Sequence, residues 1–350
     1  MIAADDLAYC EAAIRTGSLS FHAASKLLPA QVRNPALALY AFCRLADDAV
    51  DEHAEKTIAV LGLRDRLDLA YAGRPRNAPA DRAFAAIIED FAMPRALPEA
   101  LLEGLAWDAM ERRYHTLSDV RAYGARVAAA VGAMMCVLMR VREADALARA
   151  CDLGVAMQLT NIARDVGEDA RAGRIYLPLE WFDAAGLDVA AFLADPVASD
   201  PVRRMVKRLL SEAQRLYLRA VPGVARLPFT CRPGIFAARH IYDAIGADVA
   251  RAGYDLITRR ARSSTGRKLA CLALSVAQTG ASAIVPRSPV LHAAPLAEVS
   301  FLVDAAATSP RGVQGWGEGR SGALVSVLAT LEARDKERRA GLNIREARPN

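Results

Sequence analysis

The stretch that decides the fold runs from residue 40 to residue 51 and reads Tyr40-Ala-Phe-Cys-Arg44-Leu-Ala-Asp47-Asp48-Ala-Val-Asp51. Its polar residues are three, four or seven positions apart, so on an α-helix they lie along one face. The apolar residues between them fall largely on the other side. The pattern predicts an amphipathic helix with an organised acidic face.

A second stretch repeats this arrangement further along the chain. It reads Gln158-Leu-Thr-Asn161-Ile-Ala-Arg164-Asp165-Val-Gly-Glu168-Asp169. Asn161, Asp165 and Asp169 follow one another at helical spacing. Arg164 precedes an acidic pair, much as Arg44 precedes Asp47. The two stretches are therefore predicted to be helices with similar acidic faces.

Acidic faces of this kind are unfavourable in isolation. Like charges at i, i+4 destabilise a helix by about 0.2–0.5 kcal/mol each, so we expect a cation to offset them. Mg²⁺ fits best, because it prefers oxygen ligands and typically uses one or two carboxylates together with substrate phosphates. Arg44 and Arg164 would bind the same phosphates through charge-assisted hydrogen bonds. A solvated helix face explains one such stretch alone, but the repetition favours a site for metal and diphosphate.

Helical periodicity extends through most of the chain, and no alternating strand pattern of useful length appears. Segments with this periodicity, separated by Gly and Pro, are 35–50, 96–114, 120–141, 144–166, 201–221, 234–249 and 267–279. We predict an all-α fold with a single helical domain over residues 1–285. Residues 286–350, rich in Pro and then in Gly, are predicted to be a linker followed by a C-terminal helical tail.

Composition and charge narrow the range of partners. The net charge is +5, without a concentrated basic stripe, which argues against nucleic acid. The scattered cysteines and the absence of a secretory signal predict a cytoplasmic protein. Residues 269–286 are the best candidate for a membrane span, but polar residues interrupt them and they are too short. We therefore expect at most a peripheral contact with membranes.

These residues resemble the squalene/phytoene synthase family. The first stretch is similar to the family's Y-x-F-C-R-x-x-D-D-x-x-D segment. The second is similar to Q-x-x-N-I-x-R-D-x-x-x-D, and Gly173-Arg-Ile-Tyr-Leu-Pro178 after it matches G-R-x-Y-L-P. Ser18-Leu-Ser-Phe21 is similar to the diphosphate-binding S-x-S-F element. The resemblance covers about residues 18–272, with one departure: Leu19 stands where many relatives place a basic residue that contacts phosphate.

The resemblance implies an isoprenoid-synthase-type helical bundle around a central cavity. The implied metal ligands are Asp47, Asp51, Asp165 and Asp169, which would be catalytic together with Tyr123 and Arg164. The implied substrate-binding residues are Ser20, Phe21, Tyr40, Arg44, Gln158, Asn161, Tyr242 and Arg259. For Tyr123 and Tyr242 a place in the core without a chemical role is an alternative, as is a surface ion pair between Arg259 and Asp255.

The implied activity is the condensation of two geranylgeranyl diphosphates, through prephytoene diphosphate, to phytoene with release of diphosphate. This is the first committed step of carotenoid biosynthesis. The implied cofactor is Mg²⁺ or Mn²⁺, and some relatives use ATP as an activator that is not hydrolysed. Gly317-Glu-Gly-Arg-Ser-Gly322 has G-x-G-x-x-G spacing, but it lies in the predicted linker and follows no strand pattern, so NADPH is not expected. Downstream carotenoid enzymes are implied partners. Released diphosphate or a tyrosine is the hypothesis for the base.

Three alternatives remain open at this stage. A squalene or dehydrosqualene synthase that uses farnesyl diphosphate would share every motif. A terpene cyclase would keep one aspartate cluster but normally pairs it with N-x-x-x-S-x-x-x-E, which the region of Asn161 does not provide. A non-catalytic relative that acts as an assembly factor would be expected to have lost carboxylates, whereas this chain retains them.

Overall fold

The computed structural model describes residues 1–52, 56–258, 265–284 and 288–307, without the side chains of residues 51, 52 and 265. Within these ranges the chain is helical and forms no β-strand, which confirms the all-α prediction. The first helices are α1 (Ala4–Gly17), α2 (Leu19–Ser25), α3 (Ala30–Glu52), α4 (Lys56–Tyr71), α5 (Pro79–Phe91), α6 (Ala96–Ala109), α7 (Leu117–Gly124) and α8 (Ala130–Leu138). Those that follow are α9 (Ala144–Arg171), α10 (Leu179–Ala185), α11 (Val189–Ala194), α12 (Asp200–Val224), α13 (Arg232–Arg251), α14 (Thr265–Ile284) and α15 (Ser300–Ala307).

Helix α9 is the centre of the fold. It spans 28 residues and is therefore about 42 Å long. It packs against α8, α12, α13 and α15. A Cβ at position 154 would lie 2.6 Å from the Cα of Ala129, so Gly154 allows the neighbouring helix to approach closely. The helix ends before Gly173, whose φ of +73° is the left-handed conformation that glycine adopts readily.

Helix α3 presents its apolar face to α1 and α5. The ring of Phe42 stacks on that of Phe84 in α5, with a centroid distance of 3.8 Å, and both side chains are fully buried. Burying Phe42 on this side leaves the opposite face of α3, with Tyr40 and Arg44, to line a cavity. The amphipathic pattern read from the sequence therefore sets the orientation of the helix.

A π-helical turn at Ala125–Ala129 joins α7 to α8. Thr116 and Asp119 form a capping box that starts α7, because each side chain accepts a hydrogen bond from the backbone N–H of the other residue. The continuous stretch Leu117–Leu138 is long and apolar enough to cross a membrane by composition alone, but 56% of its most apolar window is buried inside the protein. In this fold the stretch packs against α6 and α9.

The packed structure extends past residue 285, where the helical domain was predicted to end. Residues 289–307 lie against α8, α9 and α12, and Leu291, Val299 and Leu302 are buried there. The buried guanidinium of Arg149 on α9 donates a hydrogen bond of 2.5 Å to the carbonyl of Val290. The remainder of the predicted tail, residues 308–350, lies outside the described residues. The division into a domain and a tail stays a prediction.

Candidate active site

An elongated cavity of about 1020 Å³ lies between α3, α7, α8, α9 and α13. Along α9 its lining changes character. Ala146, Ala150, Leu153 and Met157 line it first, and Gln158, Asn161, Asp165 and Asp169 follow. The stretch from Ala146 to Asp169 includes 24 positions of one helix and is about 35 Å long. The cavity therefore has an apolar part and a polar part, as a site for an amphiphilic molecule requires.

The apolar part is also lined by the π-helical turn and α8. Val127, Val131, Gly132 and Met135 face the cavity. A Cβ at position 132 would lie 2.9 Å from the carbonyl oxygen of Ala150, so Gly132 also allows α8 to pack closely on α9. Small residues here both bring the helices together and leave room for an apolar chain.

The structure brings the two acidic faces to the same cavity. Asp47 on α3 and the pair Asp165 and Asp169 on α9 line it together. Asp51 lies four positions, about one turn, beyond Asp47 on α3, but its side chain is outside the described part. The two faces, distant in sequence, are therefore parts of one polar surface.

The two clusters differ in exposure. The side chains of Arg44 and Asp47 on α3 are 44% and 54% exposed. Those of Arg164 and Asp165 on α9 are 22% and 19% exposed, and that of Asp169 is 16% exposed. Solvent therefore screens charge on α3 far more than charge on α9.

The arginines of the two clusters pair in different ways. Arg44 binds mainly Asp48, at 2.6 Å, and lies 4.0 Å from Asp47. Arg164 instead binds the adjacent Asp165, and its Nε donates a hydrogen bond of 2.8 Å. Each guanidinium lines the cavity beside its cluster, so both can contact a bound anion.

The carboxyl group of Asp169 is strongly perturbed. Burial raises its pKa from 3.8 to about 7. Nearby Arg174 opposes the shift, whereas the negative charges of Asp165, Asp108 and Glu168 add to it. This part of the cavity thus holds more negative charge than its surroundings stabilise.

The donor set fits a hard divalent cation. Its atoms are carboxylate oxygens from two facing helices, which are the ligands that Mg²⁺ and Mn²⁺ accept. Among the described side chains, no group of three His, Cys, Asp or Glu could hold a metal ion alone. Mg²⁺ typically keeps several waters and shares its ligands with a substrate phosphate.

The predicted diphosphate-binding residues also meet at the polar part. Ser20, Phe21, Tyr40, Asn161 and Tyr242 all line the cavity. The ring of Phe21 lies 5.5 Å from that of Tyr242 and 6.4 Å from that of Tyr40. Asn161 donates a side-chain hydrogen bond of 3.4 Å to the oxygen of Gln158. Gln158 and Tyr123 line the cavity as well, whereas Arg259 lies outside the described residues.

Two local contacts explain the conformation of the S-x-S-F element. The hydroxyl of Ser18 caps α2 by accepting a hydrogen bond from the backbone N–H of Phe21, at 3.3 Å. A Cβ at position 17 would lie 2.4 Å from the hydroxyl oxygen of Tyr40, so only glycine lets this turn approach α3. Leu19, the departure from the family pattern, is 66% exposed and lines the cavity without a charge to offer phosphate.

Sequence reasoning missed a polar cluster built on Asp108. The hydroxyls of Tyr123 and Tyr176 each donate a hydrogen bond of 2.8 Å to its carboxylate. All three residues line the cavity. Asp108 is one of three acids on α6, with Glu99 and Glu103, and its partners are 15 and 68 positions away. The one available signal was Tyr176 in the G-R-x-Y-L-P motif, which carried no assigned role.

The sequence profile of the squalene/phytoene synthase family matches residues 14–267. The chain belongs to this family. It is 62% identical over 348 residues to the phytoene synthase of Cereibacter sphaeroides, with 96% of each chain covered. It is 62% identical over 339 residues to that of Rhodobacter capsulatus, covering 96% of this chain and 98% of the relative. A crystal structure of a dehydrosqualene synthase in complex with ligand superposes with a TM-score of 0.74 at 32% identity, covering 79% of this chain and 97% of that one.

Membership of the squalene/phytoene synthase family makes the protein a prenyltransferase. It joins prenyl diphosphates head to head, the condensation that serves carotenoid synthesis. The predicted family, bundle fold, enzyme class and reaction are confirmed. The family generally uses a divalent metal. The individual site residues and the choice of metal stay predictions.

Proposed function

We propose that this prenyltransferase condenses two geranylgeranyl diphosphates to phytoene through prephytoene diphosphate. One observation carries the proposal: carboxylates of α3 and α9 face a single cavity whose lining turns apolar along α9. The polar part suits two diphosphate groups and the apolar part suits their prenyl chains. The C20 chain length is supported by the two relatives at 62% identity, which are phytoene synthases.

The metal ligands in this proposal are Asp47, Asp51, Asp165 and Asp169. A divalent ion held by these carboxylates would supply positive charge to the departing diphosphate. Mg²⁺ is the proposed ion, with Mn²⁺ as the alternative and ATP as an activator that is not hydrolysed.

The remaining polar residues bind and orient the diphosphates. Arg44 and Arg164 contribute charge-assisted hydrogen bonds, and Tyr40, Asn161 and Tyr242 supply neutral donors. The other residues proposed to contact the substrate are Ser20, Phe21, Gln158, Tyr123 and Arg259. Because the apolar helices exclude water from the rest of the cavity, an allylic cation formed there reacts with the second prenyl chain rather than with solvent.

The chemistry proceeds in two stages. Loss of the first diphosphate leaves an allylic cation, which alkylates the double bond of the second substrate, and proton loss closes a cyclopropane ring. Loss of the second diphosphate triggers rearrangement to a 1-1′ linkage, and a second proton loss forms the central double bond. No hydride donor takes part, so NADPH is not required.

Product mass tests the proposal. The protein is incubated with geranylgeranyl or farnesyl diphosphate and Mg²⁺ or Mn²⁺, each with and without NADPH and ATP. A C40 hydrocarbon formed from geranylgeranyl diphosphate without NADPH is the expected result. A C30 product from farnesyl diphosphate alone would instead support a dehydrosqualene synthase, and a C30 product that requires NADPH a squalene synthase. No product under any condition would favour a non-catalytic assembly factor.

We also propose that the protein is cytoplasmic and that it contacts an anionic membrane surface through α14. Leu269, Leu274, Val276 and Ile284 are between 53% and 86% exposed on this helix. Between Thr265 and Ile284 there is no acidic residue, and Arg267 and Lys268 lie in the first turn. Lys268 also lines the cavity, so the exposed apolar face adjoins the place where an amphiphilic substrate binds. Apolar area with flanking basic charge is typical of interfacial helices. Contacts with downstream carotenoid enzymes stay a prediction.

Vesicle sedimentation tests this contact. Replacing both Leu274 and Val276 with Glu should abolish binding to phosphatidylglycerol vesicles. Leu218→Glu is the matched control, because Leu218 is 61% exposed on α12, away from α14, and should leave binding intact. Equal sedimentation of the native protein, the double variant and Leu218→Glu would contradict the proposal. A dimer formed through α14 would also contradict it.

A further inference from the structure

Asp108 differs from the other acidic residues that line the cavity. Within the described part of the chain, the carboxylates that line the cavity are Asp47, Asp108, Asp165 and Asp169. Three of these belong to the clusters proposed to hold the metal. Asp108 lies on α6, outside both clusters, and is bound by tyrosines instead. The reaction requires two proton losses, and the metal-binding acids are already engaged.

The hydrogen bonds of Asp108 have a defined direction. The hydroxyl of Tyr123 donates to one carboxylate oxygen and that of Tyr176 to the other, both at 2.8 Å. The proton of Tyr123 therefore points at Asp108, which leaves the lone pairs of its oxygen available to a molecule in the cavity. Its ring packs against those of Tyr114 and Tyr176, each with a centroid distance of 5.2 Å. This stacking holds the hydroxyl in place.

The surroundings keep Asp108 able to take a proton. Burial raises its pKa to about 6, against the two tyrosine hydrogen bonds and Arg174, which lower it, while Asp47 raises it further. The group is therefore ionised at neutral pH. It is a stronger base than an ordinary carboxylate, yet it is not held protonated. A C–H bond next to a carbocation is strongly acidic. The position of the base therefore matters more here than a further increase in its basicity.

We propose that Asp108, acting through Tyr123, accepts the second proton of the reaction, which is lost from C1 when the central double bond forms. This inference rests on the proposed formation of phytoene and names the base for its last step. It replaces released diphosphate with a relay of two side chains. Tyr123 contacts the reacting carbon, and Asp108 is the final acceptor.

The step balances as follows for the second proton loss. The C1–H bond breaks, and its electron pair becomes the central double bond of the product. The proton moves to the oxygen of Tyr123 while the phenolic proton of Tyr123 moves to Asp108. Tyr123 ends neutral, Asp108 ends as a carboxylic acid, and the cation ends as a neutral hydrocarbon. Asp108 returns its proton to water after the product leaves.

The variant Asp108→Asn tests the relay, since it keeps the size of the side chain but cannot accept the proton. Formation of hydrocarbon should fall by about 10²–10⁴-fold, the range for loss of a general base. The second readout is a deuterium isotope effect, with substrate that carries deuterium at C1. It should be larger in Asp108→Asn than in the native protein, because proton loss has become slow. Thermal unfolding and binding of an unreactive thio-analogue of the substrate verify that the variant is folded.

Two matched tyrosine variants separate a relay from a structural role. Tyr123→Phe breaks the relay and should match Asp108→Asn in both rate and isotope effect. Tyr176→Phe removes the other 2.8 Å hydrogen bond to Asp108 and should cause a much smaller loss. Equal losses in the two tyrosine variants, or a slow Asp108→Asn with an unchanged isotope effect, would overturn the relay. So would native turnover in Asp108→Asn. If the native protein itself makes no head-to-head product, the proposed function fails instead.

Discussion

Helices α3 and α9 carry nearly the same polar sequence but hold it in different environments. On α3 the side chain of Asp47 is 54% exposed, and its partner Arg44 is engaged with Asp48. On α9 the side chain of Asp169 is 16% exposed, and burial among other acids raises its pKa to about 7. The same sequence motif therefore lies in two different environments: it is solvated on α3 and desolvated on α9.

This difference indicates a division of labour. Charge on α3 is screened by water, so this cluster can meet a hydrated ion together with the diphosphate at little energetic cost. Charge on α9 is poorly screened, so a cation there relieves repulsion already present in the protein. We expect α9 to dominate ionisation of the substrate and the coupling between metal binding and stability.

The largest expected effect compares Asp169→Asn with Asp47→Asn. Loss of the desolvated ligand should reduce diphosphate release by about 10³-fold or more, which corresponds to about 4 kcal/mol. Asp47→Asn should cause a smaller loss, because water can partly replace its contribution. Asp51→Asn should abolish ionisation while the fold stays intact. Release of diphosphate from geranylgeranyl diphosphate measures all three, and near-native turnover in Asp51→Asn or Asp169→Asn would refute the metal assignment.

The second effect is the pH dependence of stability in chelator. The pKa of Asp169 rises from 3.8 to about 7 on folding, so the folded state favours the protonated acid. Below pH 3.8 the group is protonated in both states and has no effect. Between pH 3.8 and about 7 the unfolded chain has lost this proton while the folded protein retains it, so the free energy of unfolding falls by about 4 kcal/mol across this range and levels off above it.

Asp169→Asn should remove this fall, whereas Asp47→Asn should keep it. Urea unfolding at about pH 5 and about pH 8 gives the comparison, since stability rises with pH wherever the unfolded state binds more protons and falls where it binds fewer. An Asp169→Asn variant that still loses stability between the two conditions would show that α9 is not electrostatically strained.

The third effect is stabilisation by ligand. Mg²⁺ with inorganic diphosphate, at about one hundred times the dissociation constant, should stabilise the native protein by about 2.7 kcal/mol. The gain should vanish in Asp169→Asn and persist in part in Asp47→Asn. Thermal unfolding with and without the ligands measures it. Equal gains in both variants would mean that neither cluster dominates binding.

The smallest effect concerns the paired arginines. Arg44→Ala removes an exposed pair and should lower the free energy of unfolding by less than about 1 kcal/mol, with the effect fading at high salt. Arg164→Ala leaves Asp165 poorly solvated and should cost more, with little dependence on salt. Urea unfolding at low and high salt compares the two. A salt-independent loss in Arg44→Ala would contradict the contrast in exposure.

The elements that sequence could predict are those whose information is local. The spacing of Asp47 and Asp165 with their neighbours is enough to place them on helices, and both helices are present. Their convergence followed from resemblance, because no local pattern says which faces meet. Their unequal exposure was not predictable, since it depends on how deeply each helix packs.

Two misses show where tertiary packing prevailed. The periodic segment 201–221 was predicted to end before Pro222 and Gly223, but α12 continues to Val224. A Cβ at position 223 would lie 2.1 Å from the Cβ of Arg149, so the glycine serves contact with α9. Asp108 was missed for a similar reason, because its significance comes from Tyr123 and Tyr176 rather than from its neighbours in the chain.

The apolar stretch of the cavity along α9 also affects how turnover ends. After both diphosphates depart, the hydrocarbon product has no polar group that the polar residues can bind. It still contacts the apolar lining that includes Leu153 and Met157. Escape into water is unfavourable for such a molecule. We therefore expect product release to be the slow event, as in many enzymes, so that a pre-steady-state burst precedes a slow phase that lipid or detergent accelerates. The steady-state rate then depends on the lipid or detergent that takes up the hydrocarbon as much as on the chemical steps.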